Sequence, residues 1–377
     1  MQTFDCTCGN RLFFDNTVCT QCGSALGFCP ACRRISPLSI EGDTIQCGHD
    51  DCGAPLIKCH NYAVEQVCNR CVVALKETDR NASHFCDCCR YNQTIPDLSV
   101  QDNRSKWARL EAAKRRLFYQ LDLLGLPRGR NGEGVQPPLA FDFKADVIGA
   151  TDLWQNMGEE RVYTGHKEGT ITINIREVDD VERERLRVAF GERHRTLIGH
   201  FRHEIGHYYW AVLVQGKPCE AECIKVFGDH HAMDYGAAKT HYYENGPPAD
   251  WSSRFTSAYA SMHPWEDFAE TFAFYLEIVS ALDTAKNMSL GGPGVTDNLD
   301  RMIKAYTRIG MALNEMNRAM ELKDFAVRQF NEPVIGKLAF VHGLVRAGET
   351  PSPQLTDVTS GPGHSSAPPS ASPPSSP

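Results

Sequence analysis

From Leu197 to Leu213 the apolar side chains of Leu197, Ile198, Phe201, Ile205, Tyr208, Tyr209, Val212 and Leu213 recur three or four apart. That is the period of a helix buried over most of its circumference, and Gly206 is the one breaker residue between Phe201 and Gln215. A second stripe, Trp107, Leu110, Leu117, Leu121 and Leu124, predicts a helix that stops at Gly125 and Pro127. His263 to Glu277 opens with Pro264, which suits a first turn, and mixes acidic with aromatic residues as an amphipathic helix does. A long helix is expected from Leu299 to Phe330, with Met302, Ile303, Tyr306, Ile309 and Leu313 on one side. Thr170 to Ile175 alternates strictly and predicts a strand, while residues 128–137 form a Gly-rich loop. At a sheet edge such a strand would pair with an extended peptide; inside a sheet it would be a plain core strand.

The first 90 residues show no such period. Fourteen of the sixteen cysteines lie there, in closely spaced pairs of the kind that hold metal. Cys6 and Cys8 with Cys19 and Cys22 make one set, each pair followed by a turn-forming glycine, Gly9 or Gly23. Cys29 and Cys32 with Cys47 and Cys52 make a second. Both predict zinc ribbons with four thiolate ligands. A third set is expected among the rest, and spacing leaves it open. Cys68 and Cys71 with Cys86 and Cys89 is the most regular choice, but Cys59 or His60 can replace Cys71, and Cys88 crowds Cys89. A disulfide framework is the alternative for all fourteen; it would need an oxidising compartment. Cys219 and Cys223, one helical turn apart, are expected to be buried thiols.

Length and charge narrow the class. A chain of 377 residues exceeds one ordinary core. The formal net charge of -8 and pI near 6.0 argue against a polyanion binder. Residues 1–97 hold eight Lys/Arg against eleven Asp/Glu, so the ribbons carry the wrong sign for phosphate. A structural role or contact with a protein partner is expected of them. No basic segment precedes an apolar stretch at the N-terminus, and no apolar run approaches the ~20 residues of a membrane span. The expectation is a cytoplasmic protein.

The chemistry rests on His203-Glu204-Ile205-Gly206-His207. Residues four apart share a helix face, so His203 and His207 can hold one zinc while Glu204 acts as general base on a metal-activated water. The alternative is an ordinary helix with two hydrogen-bonded core histidines. A third ligand is required. The extended metzincin pattern would put Gly and His three and six residues after His207, where Trp210 and Leu213 stand. Glu266 is therefore expected to be the ligand, and Glu270, one turn on, the carboxylate that accepts the far ring N–H of a ligating histidine. Asp267, Glu270, Glu220 and Glu222 are the rivals. His200 shares the face, but it lies roughly 10 Å along the axis from His207, and three ligands in a line splay badly around a tetrahedral ion. His194, His230, His231 and His241 are expected at the surface. Tyr235, Tyr259 and His263 are candidate oxyanion donors.

A set of short motifs accompanies this one: the Cys68-Asn69 and Cys-x2-Cys elements, Thr-Ile-Pro-Asp-Leu-Ser99, Leu110-Glu-Ala-Ala-Lys-Arg-Arg116, Gly165-His-Lys-Glu-Gly169 and Met262-His-Pro-Trp-Glu-Asp267. With the cysteine pairs and His203 to His207, they resemble a bacterial family of zinc-binding metallopeptidases with an N-terminal zinc-ribbon domain, gluzincin-like in its ligand order. The resemblance runs from about residue 1 to about residue 340. It implies Cys59, Cys68, Cys86 and Cys89 as the third ligand set, because the family has a Trp-Leu type dipeptide where this chain has Arg70-Cys71.

The expected architecture is α+β: residues 1–97 as zinc ribbons, 98–345 as a mainly helical zincin-like domain with a small sheet, and 346–377 as a disordered Pro/Ser-rich tail. The expected function is zinc-dependent hydrolysis of a peptide or protein substrate, with one catalytic and about three structural Zn2+. Two alternatives stand beside it: a non-enzymatic zinc-ribbon adaptor on an inactive zincin scaffold, and a zinc hydrolase of non-peptide amides.

Overall fold

The computed structural model describes residues 1–74, 84–145, 164–181, 183, 196–325 and 330–348. His194 and the expected tail beyond Gly348 lie outside the described residues.

The N-terminal region is built of short strands. β1 (Phe4–Asp5) pairs antiparallel with β2 (Arg11–Leu12). β3 (Leu26–Cys29), β4 (Arg34–Glu41), β5 (Thr44–Cys47), β6 (Pro55–Lys58) and β7 (Cys71–Val73) form an antiparallel sheet in chain order, with the one-turn helix α1 (His60–Ala63) before β7. Two small cores support these strands. Phe4, Leu12, Phe14, Leu26, Phe28 and Ile35 make one, around Cys6 and Cys19; Leu38 and Leu56 with Cys29, Cys47 and Cys71 make the other. Cores this small do not hold a fold without staples or metal.

The rest is mainly helical. α2 (Asn103–Leu123) buries the predicted stripe of Trp107, Leu110, Leu117 and Leu121. It closes on Gly125, whose positive φ of 59° lets Leu126 N–H reach Leu121 O at 3.0 Å and Gly125 N–H reach Asp122 O at 3.2 Å. β8 (Asn92–Thr94), β9 (Ala140–Lys144), β10 (Gly165–Lys167) and β11 (Thr170–Asn174) form a sheet in the order β10-β11-β9-β8. β9 runs parallel to both of its neighbours. The strand predicted at Thr170 to Ile175 is therefore an interior strand, with Ile171 and Ile173 buried. β10 takes the edge among the described residues. Phe118, Phe141, Phe143 and Phe201 form a ring layer that joins this sheet to α2 and to α3 (Leu197–Leu213).

After α3 come α4 (Glu220–Phe227), α5 (Tyr235–Asn245), α6 (Pro264–Asn287), α7 (Leu299–Ala319) and α8 (Glu332–Gly348). α6 is the hub, packed by α3, α7 and α8. The helix expected to reach Phe330 ends at Ala319, and the separate α8 was not expected. The stop is a backbone cap: Leu322 N–H bonds Asn317 O at 2.8 Å and Glu321 N–H bonds Arg318 O at 3.1 Å, with Glu321 in the left-handed region at φ 58°. A glutamate there gives no warning in the sequence. Among the described residues no helix is long and apolar enough to cross a membrane.

Candidate metal centre

α3 starts at Thr196, whose Oγ1 accepts the Gly199 N–H at 3.0 Å. About two turns later, His203 and then His207 face α6. Gly206 lies between them, and a Cβ on it would come within 2.9 Å of the Ala269 Cα and carbonyl oxygen of α6. Only glycine allows this approach of the two helices. α6 is itself capped: His263 Nδ1 accepts the Trp265 N–H at 3.1 Å, and Pro264 fills the first turn. The result brings Glu266, 1% exposed, onto the histidine pair.

His203 Nε2 and His207 Nε2 lie 3.2 Å apart, and Glu266 Oε2 is 3.1 Å from the first and 3.4 Å from the second. Three ligands about 2.1 Å from a tetrahedral ion stand about 3.4 Å from each other. Glu266 Oε2 is also buried without a hydrogen-bond partner of its own. Two imidazole nitrogens and a carboxylate around such an atom are a donor set that fits zinc.

The supporting contacts fix the orientation of these groups. Glu270 Oε1 lies 2.8 Å from His203 Nδ1. Tyr235 donates its hydroxyl to Glu266 Oε1 at 2.7 Å, and Tyr259 is hydrogen-bonded in turn to Tyr235. The His207 ring is 3.8 Å from the Trp265 ring, and its Nδ1 has no hydrogen-bond partner. The His166 ring is also stacked against His207, 6.3 Å away at 22°. A two-residue turn, Glu168 and Gly169 at φ 48° and 86°, joins β10 to β11, and Gly169 N–H donates to His166 Nε2 at 3.0 Å.

Charge explains the titration of these groups. Burial disfavours a protonated His203, but Glu266 and Glu270 outweigh it and hold the ring well above its ordinary value. Burial would raise Glu266, yet His207 and His203 keep it well below the usual carboxylate range. Glu204 is pushed up to about 7, chiefly by burial, which the His203 charge offsets only in part. His207 is lowered, again chiefly by burial. Tyr235 and Tyr259 are raised by burial and by Glu266, so both stay protonated donors. His166 is lowered to about 4 by burial and then by His207, so it is neutral. The concentration of buried carboxylates calls for a cation.

The other candidates lie elsewhere. His200 Nδ1 faces the buried Glu177 carboxylate, and Asp267 is 2.6 Å from the buried Lys337. Glu222 is exposed beside Lys225. Glu220 points to His230 at 3.2 Å. His263 is spent on the cap of α6. Cys223 is buried as expected, whereas Cys219 is only half-buried.

The structure also gathers the N-terminal cysteines into sets of four: Cys6, Cys8, Cys19 and Cys22; Cys29, Cys32, Cys47 and Cys52; Cys59, Cys68, Cys86 and Cys89. The sulfur separations include 3.7 Å for Cys6 to Cys22 and for Cys8 to Cys19, 3.8 Å for Cys29 to Cys52, and 3.9 Å for Cys68 to Cys86. A tetrahedral zinc with four thiolates at 2.3 Å has edges of about 3.8 Å. All sixteen cysteines are free, so the disulfide framework is absent. Gly9 and Gly23 turn the chain at φ 83° and 73°. In the third set Arg70, Cys86 and Cys89 N–H groups donate to the sulfurs of Cys68, Cys59 and Cys86, each at 3.4 Å. Cys71 stays apart: a Cβ on Gly27 would come within 2.8 Å of its sulfur, and burial pushes its thiol up to about 12. Cys88 is buried and its thiol is likewise raised.

Residues 103–344 match the model of a family described as "Putative zinc-binding metallo-peptidase", and residues 3–100 match a zinc-ribbon domain. The chain belongs to this metallo-peptidase family. Proteins of Mycobacterium bovis and Mycobacterium tuberculosis, both named only as uncharacterized, are 35% identical to it over 355 residues, 92% of this chain and 95% of theirs. No solved structure matches the chain significantly.

In this family member, sequence reasoning missed three groups at the metal centre. Trp265 walls His207 and His166 stacks on it; Glu177 takes up His200. Gly165 to Gly169 signalled His166 as part of a motif, but its place against His207 depends on the hairpin register.

Proposed function

We propose that this chain is a zinc-dependent peptide hydrolase, with residues 98–345 as the catalytic unit and 1–97 as a zinc-stabilised ribbon module. The reading rests on one observation: three ligand atoms 3.1 to 3.4 Å apart, with the buried Glu204 one residue along the helix and outside the set. His203, His207 and Glu266 would hold the ion, with Glu270 and Tyr235 orienting His203 and Glu266. Zinc bound there supplies a Lewis acid for a carbonyl oxygen and makes water a nucleophile near neutral pH.

Glu204 is the proton acceptor in this reading. Its burial raises its affinity for a proton toward the working range of a general base, and it returns that proton to the leaving amine. Trp265 and Tyr259 exclude water around the histidines. β10, an edge strand among the described residues and packed beside α3, would offer its outer backbone groups to an extended peptide, which would pass His166 on its way to Glu204. The cysteine sets would hold three further zincs, and their free thiols suit the reducing cytoplasm.

The test is a broad peptide library incubated with purified protein whose zinc content is measured, with about four tightly held ions per chain expected from the ligand sets. Cleavage should cease on chelation and return with zinc. A chain loaded with zinc that cleaves neither peptides nor other amides would favour the adaptor reading instead.

A further inference from the structure

Glu220, His230 and His231 converge beside Trp210, apart from the His203, His207 and Glu266 set. Glu220 Oε1 lies 3.2 Å from His230 Nε2 and 3.9 Å from His231 Nε2, and the three ligand atoms are all within 4.8 Å of one another. We propose that these three side chains form a further divalent-cation site, of zinc type, that fastens the loop 228–234 to the start of α4.

The residues are held for that purpose from several directions. Gly216 N–H donates to Glu220 Oε2 at 2.8 Å, which turns the other carboxylate oxygen toward the histidines. The His230 side chain is 8% exposed and packs edge-to-face on Trp210, its ring centroid 5.0 Å away. Its Nε2 is buried and makes no hydrogen bond. A simple ion pair with Glu220 would use one histidine and would close that bond. Here a second imidazole is drawn to the same oxygen, and the two histidine rings lie 4.0 Å apart. A tetrahedral zinc with N, N and O ligands needs edges of about 3.4 Å. The His230 edge is already near that value, and His231, 72% exposed, is free to close the other. One ligand position of a tetrahedral ion stays open to water.

The site has a route to the centre already described. Gly228, at φ 103°, carries the chain out of α4 into the loop, which delivers Asp234 as the cap of α5 and then Tyr235, the donor to Glu266. Met233 O lies 3.4 Å from His263 Nε2 at the start of α6. A cation on Glu220, His230 and His231 would therefore hold the loop that positions Tyr235.

The experiment is an equilibrium Zn2+ titration of the full chain after dialysis that leaves only tightly bound zinc, with hydrogen exchange read on residues 228–234. The wild type should take up one further equivalent and slow exchange in that loop. His231→Ala, at an exposed position, and Glu220→Gln, which keeps the Gly216 hydrogen bond, should each weaken this equivalent by at least roughly 100-fold, beyond the 10- to 100-fold that losing a supporting contact costs. Their tight zinc content should be unchanged, as should both properties in His241→Ala. In Glu266→Ala the further equivalent should persist while one tight zinc is lost, which separates this site from the proposed catalytic one. No further equivalent in the wild type, or one that survives His231→Ala and Glu220→Gln at full affinity, would overturn the proposal.

Discussion

Around the first cysteine set, Cys8 and Cys22 are exposed and the neighbouring core is a handful of side chains. His203, His207 and Glu266 instead lie between α3 and α6, two helices whose shared core of Phe201, Ile205, Tyr209, Phe268 and Phe272 is buried without any help from a metal. Under the proposed zinc assignments, the difference separates two uses of the same ion. In the ribbons the ligands replace a core that the strands are too short to build, so metal binding is folding. In the helical part the fold would come first and present the proposed ligands with one position open. The third cysteine set stands between these cases. Its four cysteines are buried inside the large core with Trp107 and Leu110, beside the fully buried pair Glu111 and Lys114, 3.0 Å apart.

Stripping the zinc should give the largest effect. Structural zinc contributes roughly 10 to 16 kcal/mol to small metal-folded domains, so amide protection in residues 1–58 should collapse while α3 and α6 keep theirs. Equal loss in both regions would remove the distinction. Glu266→Ala comes next: it should empty one site and leave the cysteine zincs in place, as elemental analysis would show. Gly206→Ala sharpens the helical side of the comparison. Its methyl group must push α3 from α6, at a cost of about 1 to 3 kcal/mol in denaturant unfolding, and should weaken zinc binding at the histidines without touching the ribbons. Glu270→Ala is the mildest, with metal affinity at that site falling roughly 10- to 100-fold. A Glu270 variant that lost the zinc outright, with Glu266→Ala retaining it, would exchange the roles assigned to the two carboxylates.

What could be read in the sequence follows from how local each cause is. α2 ends on Gly125 and α7 on Glu321 in the same hydrogen-bonded cap, yet only the glycine marks its helix end beforehand. Beyond Gly310, moreover, Met311, Met316 and Met320 are exposed, so apolar residues continue where the buried face has ceased. The alternation of β11 marked it as a strand, but its interior position depends on pairing with β9 and β10, which lie outside the segment itself. His203 and His207 share a helix face by spacing alone, whereas Glu266 reaches them through the Gly206 to Ala269 contact, a tertiary fact. Spacing favoured Cys71 for the third cysteine set; it sits against Gly27 on the strand β7 instead, and Cys59 enters from the turn before α1. The Glu220, His230 and His231 group was invisible for a similar reason, since a loop folds ten residues of chain back on α4 to assemble it.

Glu204 is proposed to move the proton in a zinc-dependent hydrolysis. Glu204→Gln keeps the size of the side chain and removes its ability to accept a proton, so turnover of a library-derived peptide should be compared with wild type at matched zinc occupancy. Zinc content and folding should be unchanged and activity reduced by at least ~10²-fold; equal turnover in the two proteins would rule out Glu204 as the proton acceptor.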